Sequence, residues 1–419
     1  MSHPTALIKL SADLDHAERS FSNYHDRRVT PEETFAAIRP FFSDLGITRI
    51  GMLTKLDRLN IPVAFATRPN SFTLSVFQGK GIDDNAAMAS AVMEAVETRV
   101  AEIMPEHLLS ASVDEMQRAG KPILDLDVTA RCVPEDIVAG SLPWIHGLDL
   151  LSREPVHVPW WLVGMDHRLT GPSGFEQSSD GLASGNSAPE AILHGLCELI
   201  ERDAWTLLQL RSEAELRPRL IDPASLDDAI VDLVHSRIGD AGMSLLLIDM
   251  TTDIAVPAFF AALLPSGLDQ RPDVRRSQIC GGCGCHPNPA RAALRAITEA
   301  AQSRLTAIAG SRDDFSPRLY QRLTGDAAVS QLTKLSRMEP RPYTGPDFHC
   351  CGSLNATIER IVSELRKVGI NQVIAVPLSV GDMPISVVRM IVPSLEVDIT
   401  GENIRLGARA AASLKRRMH

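Results

Sequence analysis

The chain has 419 residues, a formal net charge of −10 and a sequence pI near 5.7. Hydrophobic residues make up 44% and charged residues 22% of it, which is typical of a globular protein. The acidic balance argues against general binding of nucleic acid through a basic surface. The length predicts one large composite domain or two to three subdomains.

The N-terminal segment lacks the basic start and the apolar stretch of a secretory signal. No apolar run approaches the ~20 residues needed to span a bilayer. Seven cysteines, an odd number in a long chain, do not suggest a disulfide framework. These features predict a cytoplasmic protein that is not bound to a membrane.

In chain order, residues 1 to about 45 are predicted to be helical and polar, with a helix start at Thr30, Pro31 and Glu33. Strands follow from about residue 46. A long helix is then predicted from about Asp83 to Glu102. We expect residues 1–60 to form an N-terminal extension to the main domain, residues 61–419.

The remaining elements alternate between strands and helices. Strand-like residues 142–163 precede a second long helix, which follows the glycine turn at residues 183–186. Further strands lead to a third long helix from about Pro289 to Ala309, and another helix and two strands complete the chain. This interleaving predicts an α/β or α+β fold with mixed sheets, whose subdomains converge on one cleft.

Each of the three long helices carries two carboxylates, or a carboxylate and an amide, three residues apart among apolar neighbours. Residues at this spacing project from the same helix face. Ionised groups in an apolar setting are costly unless they are paired or bound to a metal. Carboxylate oxygens suit Mg²⁺, usually together with nucleotide phosphates. The pairs are Glu94 and Glu97, Glu198 and Glu201, and Glu299 and Gln302.

The second helix carries the strongest signal. Ser187 and Glu190 fit a capping box, which explains Glu190 as well as metal binding does. However, Glu190, His194, Glu198 and Glu201 fall within roughly 80° of one another on the helix. Three carboxylates and an imidazole do not make a normal core face, so we favour a metal or nucleotide site here.

Two basic residues allow more than one interpretation. Lys80 lies between two glycines, where it can reach a phosphate, but a surface turn is the commoner explanation of Gly-Lys-Gly. Arg295 lies four residues before Glu299, which fits a helix salt bridge or a phosphate clamp equally.

The cysteines of ICGGCGCHPNP resemble zinc ligands in part, because Cys280 and Cys283 are followed closely by Cys285. No well-spaced second pair completes a four-ligand site, and a second run at residues 349–351 is equally incomplete. A structural zinc is therefore disfavoured, and the role of the cysteine cluster stays open.

Three long segments resemble the signature blocks of the YcaO superfamily and occur in the family's order. They are GKGIDDNAAMASAVMEAVE, GLASGNSAPEAILHGLCELIERDA and GCHPNPARAALRAITEAAQSRLTAIAGSRDD. PISVVRMIVPSLE resembles the family's C-terminal strand. Residues 31–71 further resemble the branch associated with TfuA partner proteins. Two positions depart from the family pattern: Thr98 separates Glu97 from the expected arginine, and Ala183 stands where many members have serine.

The resemblance implies a YcaO-type ATP-binding fold in which ATP and Mg²⁺ lie among carboxylates. It implies an enzyme that phosphorylates the carbonyl oxygen of a peptide backbone amide, after which a nucleophile attacks the carbon and phosphate leaves. The implied magnesium ligands are Glu94, Glu97, Glu190, Glu198 and Glu201. The implied nucleotide-site residues are Lys80, Ser90, Asn186, Arg202, Arg295, Glu299 and Gln302. Glu201, Arg202 and Arg295 are the implied catalytic residues.

The nucleophile separates the branches of this family. Azoline-forming members use a Cys, Ser or Thr side chain and often end in a proline-rich tail, whereas this sequence has no proline after Pro393. TfuA-associated members are linked to thioamide formation from external sulfide. The sequence favours an ATP-dependent thioamide synthetase, a homodimer acting on a precursor peptide or protein with a TfuA-like partner and a sulfide source. The alternatives are an azoline-forming cyclodehydratase and a non-catalytic peptide-binding scaffold.

Overall fold

The computed structural model of the chain describes residues 3–15, 27–106, 108–133, 137, 140–169, 171–172, 174–268, 275–312, 314, 320, 327–346, 348, 352–397 and 406–417. The second cysteine run, residues 349–351, lies outside these ranges. Within them, no helix combines the length and the apolar character needed to cross a bilayer.

The described residues form helices and strands along the whole chain. The helices are α1 (His3–Asp15), α2 (Pro31–Ile38), α3 (Phe42–Leu45), α4 (Asp84–Ala101), α5 (Val113–Arg118), α6 (Ala188–Gln209), α7 (Glu213–Leu216), α8 (Ala229–Asp240), α9 (Pro289–Ala309), α10 (Ala327–Leu335), α11 (Leu354–Lys367) and α12 (Ala408–Arg417). The strands are β1 (Arg49–Met52), β2 (Val63–Thr67), β3 (Val76–Lys80), β4 (Leu109–Ala111), β5 (Leu142–Asp149), β6 (Pro155–Pro159), β7 (Leu182–Gly185), β8 (Met243–Asp249), β9 (Ala258–Pro265), β10 (Cys280–Cys285), β11 (Ile374–Leu378) and β12 (Ser386–Ile391).

These strands form three sheets in which neighbouring strands run antiparallel. The first has the order β1–β2–β3 and the second the order β10–β9–β8. The third has the order β4–β5–β11–β12–β7, and β6 also pairs with β5. Antiparallel sheets packed with helices make this an α+β fold, which confirms the predicted mixed architecture.

The long helices predicted from the sequence are confirmed as α4, α6 and α9. The helix start at Thr30 is also confirmed, since its side chain and Glu33 form a capping box. The predicted domain boundary at residue 60 falls between β1 and β2, which are paired in one sheet. That division of the chain stays a prediction.

A strand, a short turn and a long helix recur three times, as β3–α4, β7–α6 and β10–α9. Each strand lies at the end of its sheet's strand order. The helices are capped by Asp83, Ser187 and Asn288, whose side chains accept hydrogen bonds from the first turn. In each helix, the first acid of the predicted pair lies eleven residues after the cap. The second member lies fourteen residues after the same cap. The three pairs therefore occupy equivalent helical positions.

Glycines let two of these helices approach their strands closely. A Cβ atom on Gly79 of β3 would lie 2.1 Å from Ala91 N of α4. One on Gly284 of β10 would lie 2.1 Å from Ala292 O of α9. Because any side chain would collide with the helix backbone, these positions require glycine. The close packing brings the acids of the helices next to the edges of the strands.

Candidate functional site

Main-chain groups of the edge strands orient the helix acids. Glu97 of α4 accepts hydrogen bonds from the N–H and the hydroxyl of Ser184 in β7, at 2.8 and 2.6 Å. Glu299 of α9 accepts one from Cys283 N in β10 at 3.2 Å. Glu94 accepts one from the main chain of Gln78 in β3. The main-chain N–H groups at these strand edges therefore bind carboxylates, where an exposed edge would otherwise bind solvent or another chain.

Burial makes Glu94, Glu97 and Glu198 harder to ionise than free carboxylates. It raises the pKa of Glu94 and of Glu97 to about 7, and that of Glu198 to about 8. Burial, followed by the charge of Glu299, also raises the pKa of Glu201, which is only 3% exposed. Each of these acids lies within electrostatic range of at least one other. Such a cluster of carboxylates needs cations to be stable in its ionised form.

Several basic residues supply positive charge at the cluster, among them Arg312, whose charge acts on Glu94. Lys80 forms an ion pair with Glu299, and Arg202 pairs with Asp180 at 3.4 Å and with Glu198 at 3.8 Å. Burial tends to raise the pKa of Glu299, but the charges of Lys80 and Arg202 outweigh it, so this pKa falls below its usual value. Lys80 ends β3 opposite Val63, so it does not lie on a surface turn.

Arg295 faces the same cluster and does not form the helix salt bridge with Glu299, which is one of the two interpretations of its spacing. Its charge acts on Glu201, and its neighbour four residues on, Glu299, pairs with Lys80. Within the described part of the chain, the buried Nε atom of Arg295 has no hydrogen-bond partner. A buried guanidinium nitrogen with no partner indicates a place for an acceptor that the polypeptide does not supply.

The contacts of Glu190 involve other residues than those of the acid cluster. Its carboxylate accepts hydrogen bonds from Asn186 N at 2.9 Å and Asn186 Nδ2 at 3.2 Å, and from the N–H of Arg28. Arg27 adds an ion pair at 3.5 Å. The Ser187 side chain accepts from Glu190 N at 3.5 Å, so capping explains the main chain of Glu190 but not its carboxylate. Arg27 also lies within electrostatic range of Glu97, which places these contacts beside the acid cluster.

Residues 78–396 match the family model described as YcaO cyclodehydratase, binding ATP and Mg²⁺. The chain belongs to the YcaO family. A Rhizobium leguminosarum bv. trifolii protein described as an uncharacterized protein in the tfuA 3′ region is 58% identical over 417 residues, covering 99% of each chain. YcaO proteins bind ATP and Mg²⁺.

Two solved structures share the fold. YcaO from Methanopyrus kandleri, bound with AMPPCP and Mg²⁺, is 23% identical, covers 94% of this chain and 98% of its own, and has a TM-score of 0.71. A heterocyclase in complex with substrate and cofactor is 20% identical, with a TM-score of 0.73. That match covers 93% of this chain and 56% of the heterocyclase. These likenesses confirm the predicted YcaO-type fold.

The residues of this YcaO site fit Mg²⁺ and a nucleotide. Among the described residues, no three His, Cys, Asp or Glu side chains are placed to hold a metal ion by themselves. A magnesium ion that shares its coordination with phosphate oxygens needs fewer protein ligands. The structure fits such sharing between protein and phosphate. The buried acids with raised pKa values can bind the cation. Lys80 and Arg202 lie beside them, and the Nε of Arg295, which has no partner among the described residues, can bind a phosphate oxygen. The roles of the individual residues stay predictions.

Two other predicted nucleotide contacts of this YcaO protein also lie on the helices. Gln302 donates from Nε2 to Gln78 O of β3 at 3.1 Å, which ties the C-terminal half of α9 to the first sheet. Ser90 is partly buried on the turn of α4 that packs against Gly79. Nucleotide binding by Gln302 and Ser90 therefore stays a prediction.

The cysteine cluster of this YcaO protein is part of the core. Cys280, Cys283 and Cys285 belong to β10 and are all buried. Burial raises the pKa of each thiol, to about 12 for Cys280. A protonated, buried thiol is a poor nucleophile. Among the described residues, no three His, Cys, Asp or Glu side chains are grouped to hold a metal ion, so the structure gives no support to a zinc site there.

Sequence analysis missed three groups around the YcaO acids. Asp180 pairs with Arg202, and Arg27 contacts Glu190 from outside the three signature blocks. His194 lies on the predicted helix stripe but outside the predicted set of site residues. Burial, then the charges of Arg295 and Arg27, lower its pKa well below the usual value, so the ring is neutral. His194 follows its cap by seven residues, as Ser90 and Arg295 follow theirs, and that spacing is a signal readable from the sequence.

Proposed function

We propose that this protein uses ATP and Mg²⁺ to convert a peptide backbone amide into a thioamide, acting with a TfuA-like partner. The observation that carries the proposal is the relative in the tfuA 3′ region, which is 58% identical over essentially the full length of both chains. Such identity supports a shared reaction for the two proteins. The substrate of the proposal is a precursor peptide or protein, and the sulfur comes from sulfide.

The chemistry of amides explains why a phosphate donor is needed. An amide oxygen is a weak nucleophile, and oxide is a poor leaving group. ATP supplies the phosphoryl group that converts the oxygen into a leaving group. Sulfide then adds to the amide carbon, and phosphate departs as the thioamide forms. Positioning and charge stabilisation account for most of the catalysis in phosphoryl transfer.

In this proposal the acid cluster holds Mg²⁺ and the basic residues hold phosphates. Glu94, Glu97, Glu198 and Glu201 are the proposed magnesium-binding acids, with Glu190 and Asn186 at the edge of the site. Lys80, Arg202 and Arg295 face the phosphates, because each lies beside the acids and the buried Nε of Arg295 has no partner among the described residues. Ser90, Glu299 and Gln302 complete the proposed nucleotide site.

An ion pair attaches α12 to α6. Arg409 in α12 forms hydrogen bonds with Asp203 of α6 at 2.8 and 3.0 Å. At about 100° per residue, Asp203 projects roughly 160° away from Glu201 on α6. The start of α12 is therefore held on the side of α6 that faces away from the acids.

A mass measurement tests the proposal. The protein is mixed with ATP, Mg²⁺, sulfide, a TfuA-like protein and peptides encoded beside its gene. Replacement of oxygen by sulfur is the expected change, and it should disappear when ATP or sulfide is omitted. If no peptide in a broad panel changes mass, the non-catalytic scaffold is the better explanation.

Azoline formation is the second candidate, because the matching family model is described as a cyclodehydratase. It predicts loss of one water from a peptide containing Cys, Ser or Thr, with no requirement for sulfide. Omitting sulfide therefore separates the two activities in one experiment. The homodimer is also a proposal, and light scattering of the purified protein tests it.

A further inference from the structure

Arg389 lies in the middle of β12 and is fully buried, with 0% of its surface exposed. Its guanidinium donates hydrogen bonds to three main-chain carbonyls. The distances are 3.0 and 3.2 Å to Val163 O, 2.9 Å to Ser178 O and 2.9 Å to Asp180 O. Arg389 therefore holds the main chain of the segments that contain Val163, Ser178 and Asp180.

The segment that Arg389 holds is the turn before β7, residues 178–181. Gly181 has a φ of +76°, and a Cβ atom there would lie 2.3 Å from Met390 O. The N–H of Met390 in turn donates to Gly181 O at 2.7 Å. The turn is thus fixed to β12 at two successive residues, Arg389 and Met390.

This turn contacts two of the proposed site residues. The N–H of Gly181 donates to Glu198 at 3.2 Å, and the carboxylate of Asp180 pairs with Arg202 at 3.4 Å. Helix α6 passes so close to the turn that a Cβ atom on Gly195 would lie 3.0 Å from Gly181 O. The position of Glu198 and Arg202 therefore depends on a turn whose carbonyls Arg389 binds.

In addition to its hydrogen bonds, Arg389 places a positive charge near the acid cluster. Burial and the nearby Arg131 lower the pKa of Arg389 to about 9, so it remains protonated at neutral pH. Glu198, Asp180 and Glu97 are the acids within its electrostatic range. A buried positive charge near these acids favours their ionised forms, which are the forms that bind a cation.

We propose that Arg389 is a positioning residue for the magnesium–nucleotide site. It holds the 178–181 turn so that Gly181 orients Glu198 and Asp180 orients Arg202, without touching the nucleotide itself. This inference depends on the ATP and Mg²⁺ part of the proposed function and not on thioamide formation. The groups that orient metal ligands typically change metal affinity by about 10- to 100-fold when they are removed.

Binding of AMPPCP at a series of Mg²⁺ concentrations, measured by calorimetry without peptide or sulfide, tests the inference. We expect Arg389→Gln to raise the Mg²⁺ concentration needed for half-maximal binding by about tenfold or more. Arg389→Lys keeps the charge and part of the hydrogen bonding, so it should recover part of that loss. Failure of thioamide formation would leave this measurement unaffected.

A matched control is Arg219→Gln. Arg219 also donates to main-chain carbonyls, Asp249 O at 2.9 Å and Thr251 O at 3.3 Å, but it is not among the groups that act on the acid cluster. Its variant should bind AMPPCP with the Mg²⁺ dependence of the parent protein. Thermal unfolding of every variant separates a loss of stability from a loss of metal affinity.

Two results would overturn the role of Arg389. One is a folded Arg389→Gln protein with an unchanged Mg²⁺ dependence. The other is an Arg389→Lys protein that binds no better than Arg389→Gln. If no Arg389 variant folds, Asp180→Asn removes the ion pair between the turn and Arg202 and leaves the buried charge of Arg389 in place. It should also raise the Mg²⁺ requirement, and an unchanged requirement would refute the positioning role of the turn.

Discussion

Glu97 of α4 accepts two hydrogen bonds from Ser184 of β7, one from the main chain and one from the hydroxyl, across 87 positions of sequence. The contact joins the first strand–turn–helix unit to the second. Gln302 of α9 makes a corresponding contact to Gln78 O of β3, which joins the third unit to the first. In α4 and α9, the second member of the pair thus connects neighbouring units, while Glu94 and Glu299 accept main-chain hydrogen bonds from the strands of their own units.

Glu201→Gln should abolish ATP turnover without unfolding the chain. The side chain is 3% exposed and lies within range of Glu299, so a neutral amide of the same shape relieves repulsion. We expect turnover to fall by at least about a hundredfold, as when one preorganised charge-stabilising group is removed. Phosphate release and thermal unfolding are the measurements. Glu359→Gln, at an exposed pair with Arg153, is the control, and retained turnover in the Glu201 variant would refute the magnesium assignment.

Lys80→Met should weaken nucleotide binding. The lysine pairs with Glu299 across 219 positions of sequence, and its removal leaves that acid with less positive charge to offset it. Hydrogen bonds to charged groups contribute about 1.5–3 kcal/mol, so AMPPCP affinity should fall by about tenfold or more. Lys334→Met, at an exposed pair with Glu213, should bind like the parent protein. Equal affinities for the two variants would contradict a phosphate-facing Lys80.

The unliganded protein should become less stable as pH rises from about 6.5 to 8. Glu94, Glu97 and Glu198 have folded pKa values of about 7, 7 and 8, raised from 4.5, so the folded state binds more protons than the unfolded state in this window. The lowered pKa of His194 has the opposite effect, mainly below its usual value of 6.5. One pKa unit corresponds to about 1.4 kcal/mol, so the loss should reach at least about 1 kcal/mol.

Thermal unfolding at a series of pH values checks that dependence. Adding AMPPCP and Mg²⁺ should flatten the curve, because the cation stabilises the ionised carboxylates that protons otherwise neutralise. A melting temperature that rises with pH across the window would contradict the pKa shifts. An equally steep curve with and without the ligands would argue against cation binding by these acids.

Arg409→Ala should destabilise the protein by about 3 kcal/mol, the usual cost of leaving one partner of a buried ion pair alone. Its partner Asp203 has no exposed surface and also accepts from Glu396 N at 3.1 Å. Denaturant unfolding measures the change. Arg153→Ala, at an exposed pair, should cost less than about 1 kcal/mol. Equal effects of the two substitutions would mean that the α12 anchor contributes little to stability.

The sequence predicted the elements of the site better than their contacts. Glu94, Glu198 and Glu299 stand out in the sequence because apolar neighbours and helical spacing are local signals, and their roles in a site stay predictions. The hydrogen bonds from Ser184 to Glu97 and the role of the 178–181 turn depend on residues far apart in sequence, and a single sequence carries no direct signal of such pairing. Lys80 was harder to place, since Gly-Lys-Gly is typical of turns, yet here the glycine allows a strand to lie against a helix.

The equal spacing from cap to acid in α4, α6 and α9 fixes the rotational phase of each helix. One residue inserted between Ser187 and Glu198 would turn the rest of α6 by about 100° and point Glu198 away from Glu97 of α4 and Glu201 away from Glu299 of α9. An insertion in a loop between units would leave all three phases unchanged. Changes in chain length can therefore accumulate between the units during divergence, whereas the distance from cap to acid within each unit must stay constant.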